Sequence, residues 1–516
     1  MTQFTLTLRY LIVVLFLKAM LMLAFIAVGS VALAPDEAQY WTWSQALDWG
    51  YYSKPPGIAY QMALGTWFFG NTEIGVRFGA VILALVMPLA LYRCARNAGL
   101  SEATAAWTGL IMALTPIGIL ASLLATTDGG FIVCWILSIG ELARALQKDR
   151  PPRYLLLGGI VAIGAFFKWP AYIAWIVVMV GWTLYPTWRS RRVLGGVLVS
   201  LLGMAPSFIW NMQNGWPTFK HVGATILVPS VASASQRVFT GNPGDFIGAQ
   251  LALVTPFIFV LLFVAGWHHL RRTRAPTSIA FCGGLSICII AVYVIASFTK
   301  KIQGNWCVYA YPPGFIMVAW YAFDQAPRAR RWVMIGLVLS VVGTAIGMTL
   351  PAGQRHAVVG LGRLPYKANP WRHTLGWAEL ETALLEAGWN SDADFVFAHT
   401  YQATSLLSFY NAAQKRAYFL NLGTARKNQF SYWPSMADEQ VGETGYFAWM
   451  ENIDRLEVDK LLIIDRYVEL LSDYFERVTF VGEHSLYSVG QRPAKAVYLY
   501  RCEGYNGVEP AEVAKY

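Results

Sequence analysis

LIVVLFLKAMLMLAFIAVGSVALAPDEAQYW, residues 11–41, is an apolar run that stops abruptly at two carboxylates. Residues 11–33 carry one charge, Lys18, and exceed the ~20 apolar residues a helix needs to cross a bilayer. Arg9 and the Ala32-Leu33-Ala34 triplet imitate a secretory signal. The run is too long for a signal core, however, and Pro35 is a poor residue after a cleavage site. The segment reads as a retained first transmembrane helix, with Lys18 snorkelling towards the near surface.

The whole chain shares this bias. Of its 516 residues, 56% are hydrophobic and 14% charged, and mean hydropathy is +0.42, which indicates an integral membrane protein rather than a large soluble enzyme. The formal net charge of +10 is unevenly placed: residues 1–350 hold 24 Lys/Arg and 10 Asp/Glu, whereas residues 351–516 hold 16 and 20. The basic residues lie in short clusters between apolar segments, so they report membrane topology and argue against nucleic acid as a partner. The six cysteines are scattered, with no Cys-x-x-Cys pair, so neither a zinc ribbon nor a disulfide framework is indicated.

Apolar segments of spanning or near-spanning length run at about 11–33, 74–92, 104–125, 129–146, 154–168, 171–188, 193–210, 248–269, 277–298, 308–323 and 332–350. They predict a polytopic α-helical membrane protein with about 11 transmembrane helices over residues 1–350. The basic clusters Arg93/Arg96, Lys148/Arg150/Arg153, Arg189/Arg191/Arg192, Arg271/Arg272/Arg274 and Arg328/Arg330/Arg331 all fall on one side if the N-terminus is cytoplasmic. Residues 351–516 then lie outside the cytoplasm. Their pattern changes to strands alternating with amphipathic helices, as in DADFVFAHTY, KLLIIDRYVELLSDYFERV and KAVYLYRCEGY, which predicts a C-terminal soluble α/β domain.

The outer side gathers the residues with chemistry. Asp36 and Glu37 are too close to ionise freely near a low-dielectric boundary, so one pKa should rise, as a general base requires; the bland alternative is a solvated helix start. Asp128, between two apolar helices, is expensive unless it faces a polar cavity or a partner, or caps the helix that begins there. Lys54, Lys168, Lys300 and Lys301 stand at predicted helix ends on this side. They can hold a phosphate and stabilise its charge as it departs, or simply snorkel. Tyr51 and Tyr52 beside Lys54, Asn305 beside the lysine pair, Asn211, Trp216 and His221 in the second outer loop, and Tyr401 and Arg426 in the C-terminal region complete the candidate substrate-binding set. No His-x-x-x-His pair marks a metal site, and no cofactor is called for, although a divalent metal between these acids and a distant histidine stays open.

The stretches DEAQYWTWSQALDWGYYSKPPGIAY, GNTEIGVRFGAV, LATTDGGFIVCW, FFKWP, IWNMQNGWPTFKHVG and KKIQGNWCVYAYP resemble successive motifs of bacterial membrane glycosyltransferases with the GT-C fold. The closest groups are those related to aminoarabinose and galacturonic acid transferases of lipid A and, more distantly, protein O-mannosyltransferases. The resemblance covers nearly the whole chain. It implies a sugar donor carried on polyprenyl (undecaprenyl) phosphate, a lipid or glycan acceptor, inversion at the anomeric carbon, and a site facing the periplasm at the bacterial inner membrane. It further implies Asp36 as base, Glu37 orienting or binding, Asp128 as the second acidic position, and Lys54, Lys168, Lys300 and Lys301 near the lipid phosphate.

Location supports the same donor, because nucleotide sugars are cytoplasmic while every candidate residue is predicted outside. A transporter or flippase is the competing reading; it should show internal repeats and a charged site at mid-membrane, and the sequence shows neither.

Overall fold

The computed structural model describes residues 7–227, 241–356, 360, 365–423, 425–452 and 460–510. The expected outer loop 211–247 therefore lies partly outside the described residues. The first helix, α1 (Leu8–Ala27), is shorter than the apolar run. Gly29 takes φ 68°, and the Val28 and Gly29 amides close on Ala24 O and Ile26 O, so residues 28–34 leave the helical path. The loop beyond holds two helices that apolar runs alone did not mark, α2 (Pro35–Gln45) and α3 (Gly57–Phe69).

The remaining helices of the bundle are α4 (Glu73–Asn97), α5 (Glu102–Leu114), α6 (Pro116–Leu123), α7 (Asp128–Gln147), α8 (Tyr154–Phe167), α9 (Ile173–Leu184), α10 (Arg192–Leu201), α11 (Ala205–Gln213), α12 (Pro217–Leu227), α13 (Pro243–Val254), α14 (Pro256–Arg271), α15 (Thr277–Thr299), α16 (Tyr311–Ala319) and α17 (Arg330–Arg355). Among the described residues, five helices are long and apolar enough to cross a membrane, and up to eight if each bent pair is one span. The breaks have identifiable causes. Pro116 and Pro256 lack the amide that would continue α5 and α13, and α13 meets α14 at 97° through Thr255 at φ 65°. The run 248–269 is thus not one straight helix. Where α8 crosses α10, a Cβ on Gly158 would lie 2.2 Å from the Gly196 carbonyl, so only glycine allows the two backbones to touch.

Helix α17 runs five residues past the expected boundary at 350 and carries the C-terminal region directly: Tyr487 bonds the Pro351 carbonyl (2.9 Å) and the Gly490 amide bonds that of Gln354 (2.9 Å). That region is built on five strands, β1 (Asp394–Ala398), β2 (Tyr418–Phe419), β3 (Thr444–Asn452), β4 (Phe475–Val489) and β5 (Arg492–Tyr505), in the order β2-β1-β3-β5-β4. β1 is parallel to β2 and β3, while β5 is antiparallel to β3 and β4. Helices α18 (Leu380–Glu386), α19 (Tyr401–Tyr410), α20 (Met436–Glu439) and α21 (Lys460–Ser472) accompany the sheet. One core joins it to the bundle: Trp41, Trp43, Ile58 and Val76 pack with Leu406, Phe409, Val497 and Leu499, and Trp41 meets Phe409 edge-on at 4.9 Å. Helix α19 is therefore seated on α2 and joins the sheet to the bundle.

Candidate active site

The site forms where α1 ends, α2, α4 and α7 begin, and α6 and α8 end. Its framework is an ion pair that lies wholly inside. Glu37, at the third position of α2, accepts from Arg77 Nε (3.0 Å) and Nη2 (2.8 Å), and from the amides of Ala34 (2.9 Å) and Ala125 (2.8 Å). Arg77 on α4 also donates to the carbonyls of Val31 (3.0 Å) and Ala32 (2.8 Å). Both residues are 1% exposed. A fork-to-fork guanidinium–carboxylate pair with every remaining lone pair filled is the geometry that makes burial of two charges tolerable. It ties four segments into one piece: the end of α1, the start of α2, α4, and the turn that leads to Asp128.

Of the two roles expected for Glu37, orienting suits this placement, while four protein donors leave its carboxylate no free lone pair for binding. Arg77 was the missed residue; within GVRFGAV it reads as one charge in an apolar helix, and only the partner on α2 reveals its purpose.

Asp36 lies one residue away and differs in every respect. It keeps an exposed face although protein surrounds it on most sides, and it has no hydrogen-bond donor among the described residues. Burial holds its carboxyl above the usual carboxylate range; Glu37 adds to the rise, and Lys54 and Arg426 oppose it. Burial likewise pulls the Lys54 ammonium below its ordinary value; Lys168 and Arg426 push the same way, and Asp128 and Asp36 resist. Asp128, the first residue of α7, pairs with Lys168 at the end of α8 at 2.6 Å.

Tyr401 at the start of α19 hydrogen-bonds Arg426, and burial and the Asp36 charge raise its pKa. His221 is lowered to about 4 by burial and by Arg426 and Lys54, so it is neutral at physiological pH. Its ring lies 5.1 Å from that of Tyr52, whose amide bonds Gln429 Oε1 at 2.7 Å. Tyr40, feeling both Asp36 and Asp128, belongs to the same centre. The charges of Asp36, Lys54, Asp128, Lys168 and Arg426 therefore act on one another, although they come from α2, the loop before α3, α7, α8 and the C-terminal region.

Other candidates stand apart. Tyr51 is fully buried; its hydroxyl donates to the carbonyls of Trp43 (2.9 Å) and Ala46 (3.1 Å), and its ring stacks on Trp43 at 4.6 Å. Asn211 is also buried, holding Thr218 by its amide (2.9 Å) and hydroxyl (3.0 Å). Both are fixed by the fold. Trp216 is partly exposed between Phe208 and Phe219. Lys300 and Lys301 follow α15 towards Ile302, which Asn242 holds, and neither is among the charges that act on Asp36 or Lys54. Asn305 instead joins Asp128, Thr126 and Gln61 at an apolar hollow of ≈ 160 Å³ lined by Leu83, Met87 and Leu120. Among the described residues no group of three His, Cys, Asp or Glu side chains is placed to hold a metal ion.

Residues 53–210 match the family model described as dolichyl-phosphate-mannose-protein mannosyltransferase. The chain is 29% identical over 303 residues to a lipid A galacturonosyltransferase, RgtD, of Rhizobium johnstonii, covering 57% of this chain and 62% of that one. It is 30% identical over 199 residues to an undecaprenyl phosphate-α-4-amino-4-deoxy-L-arabinose arabinosyl transferase of Pseudomonas aeruginosa, covering 34% and 36%. It thus spans less than two thirds of the length of these curated relatives. The crystal structure of ArnT from Cupriavidus metallidurans superimposes with a TM-score of 0.60 at 16% identity, over 94% of this chain and 97% of that one. The same protein bound to undecaprenyl phosphate gives 0.60 at 14% identity, over 95% and 97%. In fold and in sequence, this polytopic helical membrane protein resembles the bacterial membrane glycosyltransferases of the GT-C fold, with lipid A-modifying enzymes among its relatives.

Proposed function

We propose that the chain is an inverting glycosyltransferase that moves a sugar from polyprenyl phosphate to a hydroxyl or phosphate of an envelope lipid or glycan such as lipid A. It works on the outer face of the bacterial inner membrane, with about eleven crossings, a cytoplasmic N-terminus and residues 351–516 in the periplasm. The observation that carries this reading is the juxtaposition of Asp36 and Lys54, neither paired among the described residues, with the Asp128–Lys168 pair, next to an apolar hollow.

Asp36 takes the proton of the acceptor hydroxyl as its oxygen attacks the anomeric carbon. The bond to the lipid phosphate breaks on the opposite face, and the phosphate leaves with the bonding pair. Lys54, Lys168 and Arg426 stabilise the charge that develops there, a contribution that is often the largest in such a step. A raised carboxyl pKa suits the base, because proton transfer is most efficient when the pKa approaches the working pH. The polyprenyl tail enters the apolar hollow between α4, α6 and α7. The family model that matches residues 53–210 favours a second reading with the same donor chemistry and a protein hydroxyl as acceptor.

Purified protein is supplied with polyprenyl-phosphate sugars and with lipid A, glycan or protein acceptors, and release of polyprenyl phosphate is followed. Acceptor-dependent release by the wild type that Asp36→Asn abolishes supports the proposal. Equal release by both refutes the assignment of the base, and release only with protein acceptors selects the second reading.

A further inference from the structure

We propose that a hollow on the far side of segment 426–435 binds a saccharide, namely the part of the acceptor beyond the reacting hydroxyl; the acceptor role rests on the transferase reading above. Two adjoining hollows, ≈ 320 and ≈ 460 Å³, share Arg416, Trp433 and Pro434. Each volume lies in the range of about 300–1,000 Å³ typical of small-molecule sites.

The segment divides its side chains between two places. Arg426 and Tyr432 face the charged centre, Arg426 by its contact with Tyr401 and Tyr432 by lying 5.9 Å from the Tyr52 ring. Lys427 and Trp433, the next residue in each case, line the hollow. Helix α2 does the same along its length: Asp36 is in its first turn, and Trp41, Thr42 and Gln45 border the hollow near its end. At 1.5 Å per residue, the nine steps from Asp36 to Gln45 amount to about 14 Å, a distance that a short oligosaccharide bridges.

The lining suits sugar chemistry. A pyranose presents apolar C–H faces and a rim of hydroxyls that both donate and accept. The hollow offers the rings of Tyr418, Phe430 and Trp433, which carry large rigid contact areas at little entropic cost. Its charges are of both signs and balance: Arg416 bonds Glu439 at 2.7 Å and the Pro434 carbonyl at 3.0 Å, Tyr418 bonds Glu439 at 2.7 Å, and Lys427 and Glu509 add one charge of each sign. Such a wall supplies preorganised donors and acceptors without a net field, which favours hydroxyls over a free phosphate.

The full-length protein, in nanodiscs free of sugar detergents, is tested by saturation-transfer NMR with a soluble glucosamine disaccharide as probe. Trp433→Ala and the milder Gln45→Ala, at an exposed position, are compared with wild type. Disaccharide signals in the wild type that fall in both variants support the site. In transfer assays the same variants raise the acceptor KM about tenfold, equivalent to 1.4 kcal/mol, and leave the donor KM and kcat unchanged. Retained signals in Trp433→Ala, or acceptor KM unchanged in both variants of an active enzyme, overturn it. If no acceptor elicits transfer while the signals still depend on Trp433, the saccharide site stands and the transferase reading falls.

Discussion

Asp36 and Glu37 are neighbours in sequence and opposites in circumstance. Glu37 is wholly buried and fully satisfied, held by a guanidinium fork and two amides. Asp36 is partly open, has no donor among the described residues, and is held protonated more readily than an ordinary carboxyl. The same contrast separates their cations: Arg77 uses its fork on protein, whereas Lys54 has no such partner among the described residues and feels two other cations and two carboxylates. Successive residues near the start of a helix point in directions about 100° apart, so one turn of α2 can serve structure with one carboxylate and leave the next for chemistry. Satisfaction, rather than charge, distinguishes a framework from a site.

The largest effect that would sharpen this contrast is on rate. Asp36→Asn should lower kcat by about 10²–10⁴-fold, the range for loss of a general base, while Tm stays level or rises. The stability sign follows from the raised pKa: the native state binds a proton more tightly, so stability falls as pH rises from the ordinary value of 3.8 through the folded value, and the ionised group is a liability at neutral pH. A thermal melt beside the kinetics checks both halves; a lower Tm would make Asp36 structural.

Arg77→Met should behave the other way, destabilising by about 3–5 kcal/mol because Glu37 is left buried and unpaired. The paired change Glu37→Leu with Arg77→Met should recover little, since the amides of Ala34 and Ala125 and the carbonyls of Val31 and Ala32 remain without partners. Full recovery, measured by melts of the double variant, would show that the pair is dispensable once both charges are gone.

A pH profile gives the next effect. If Asp36 is the base and Lys54 holds the phosphate, as proposed, activity needs the first ionised and the second charged, so the acid limb should lie above 3.8 and the alkaline limb below 10.5. Lys54→Arg should move the alkaline limb upward and leave the acid limb in place. An unchanged alkaline limb would assign it to another group.

Sequence made the bundle legible because spanning a membrane demands long apolar runs, and it singled out Lys54 and Lys168 because lysines on the side assigned as outer oppose the usual bias. It did not reveal where helices break, since Pro116 and Pro256 look alike until neighbours set bends of 58° and 97°. Nor did it sort polar residues by the side they face. Tyr51 and Tyr52 are adjacent, yet one is locked under Trp43 and the other lies against His221; Asn211 has the makings of a sugar ligand and is consumed by Thr218. Arg77 escaped notice because its partner lies 40 residues away in sequence and the pair closes only in three dimensions.

Trp216 offers the smallest test. It holds φ 66°, a region that bulky side chains avoid, directly after Gly215 at φ 76°. The Trp216 amide bonds the Asn211 carbonyl at 2.8 Å, and the Asn211 side chain holds Thr218, so the turn is pinned on both sides of the strained residue. Its ring rests on Phe208 and Phe219, with Trp169 on the far side of Phe219 at 5.1 Å. Such a ring belongs with the framework if it anchors the surface and with the site if it meets the donor. Trp216→Gly relaxes the backbone by ~1–2 kcal/mol and removes that exposed ring. As framework, it should change kcat/KM by no more than about twofold, equivalent to about 0.4 kcal/mol. A much larger fall in kcat/KM with an intact melt would move Trp216 to the side of Asp36, where strain of this kind is held for function.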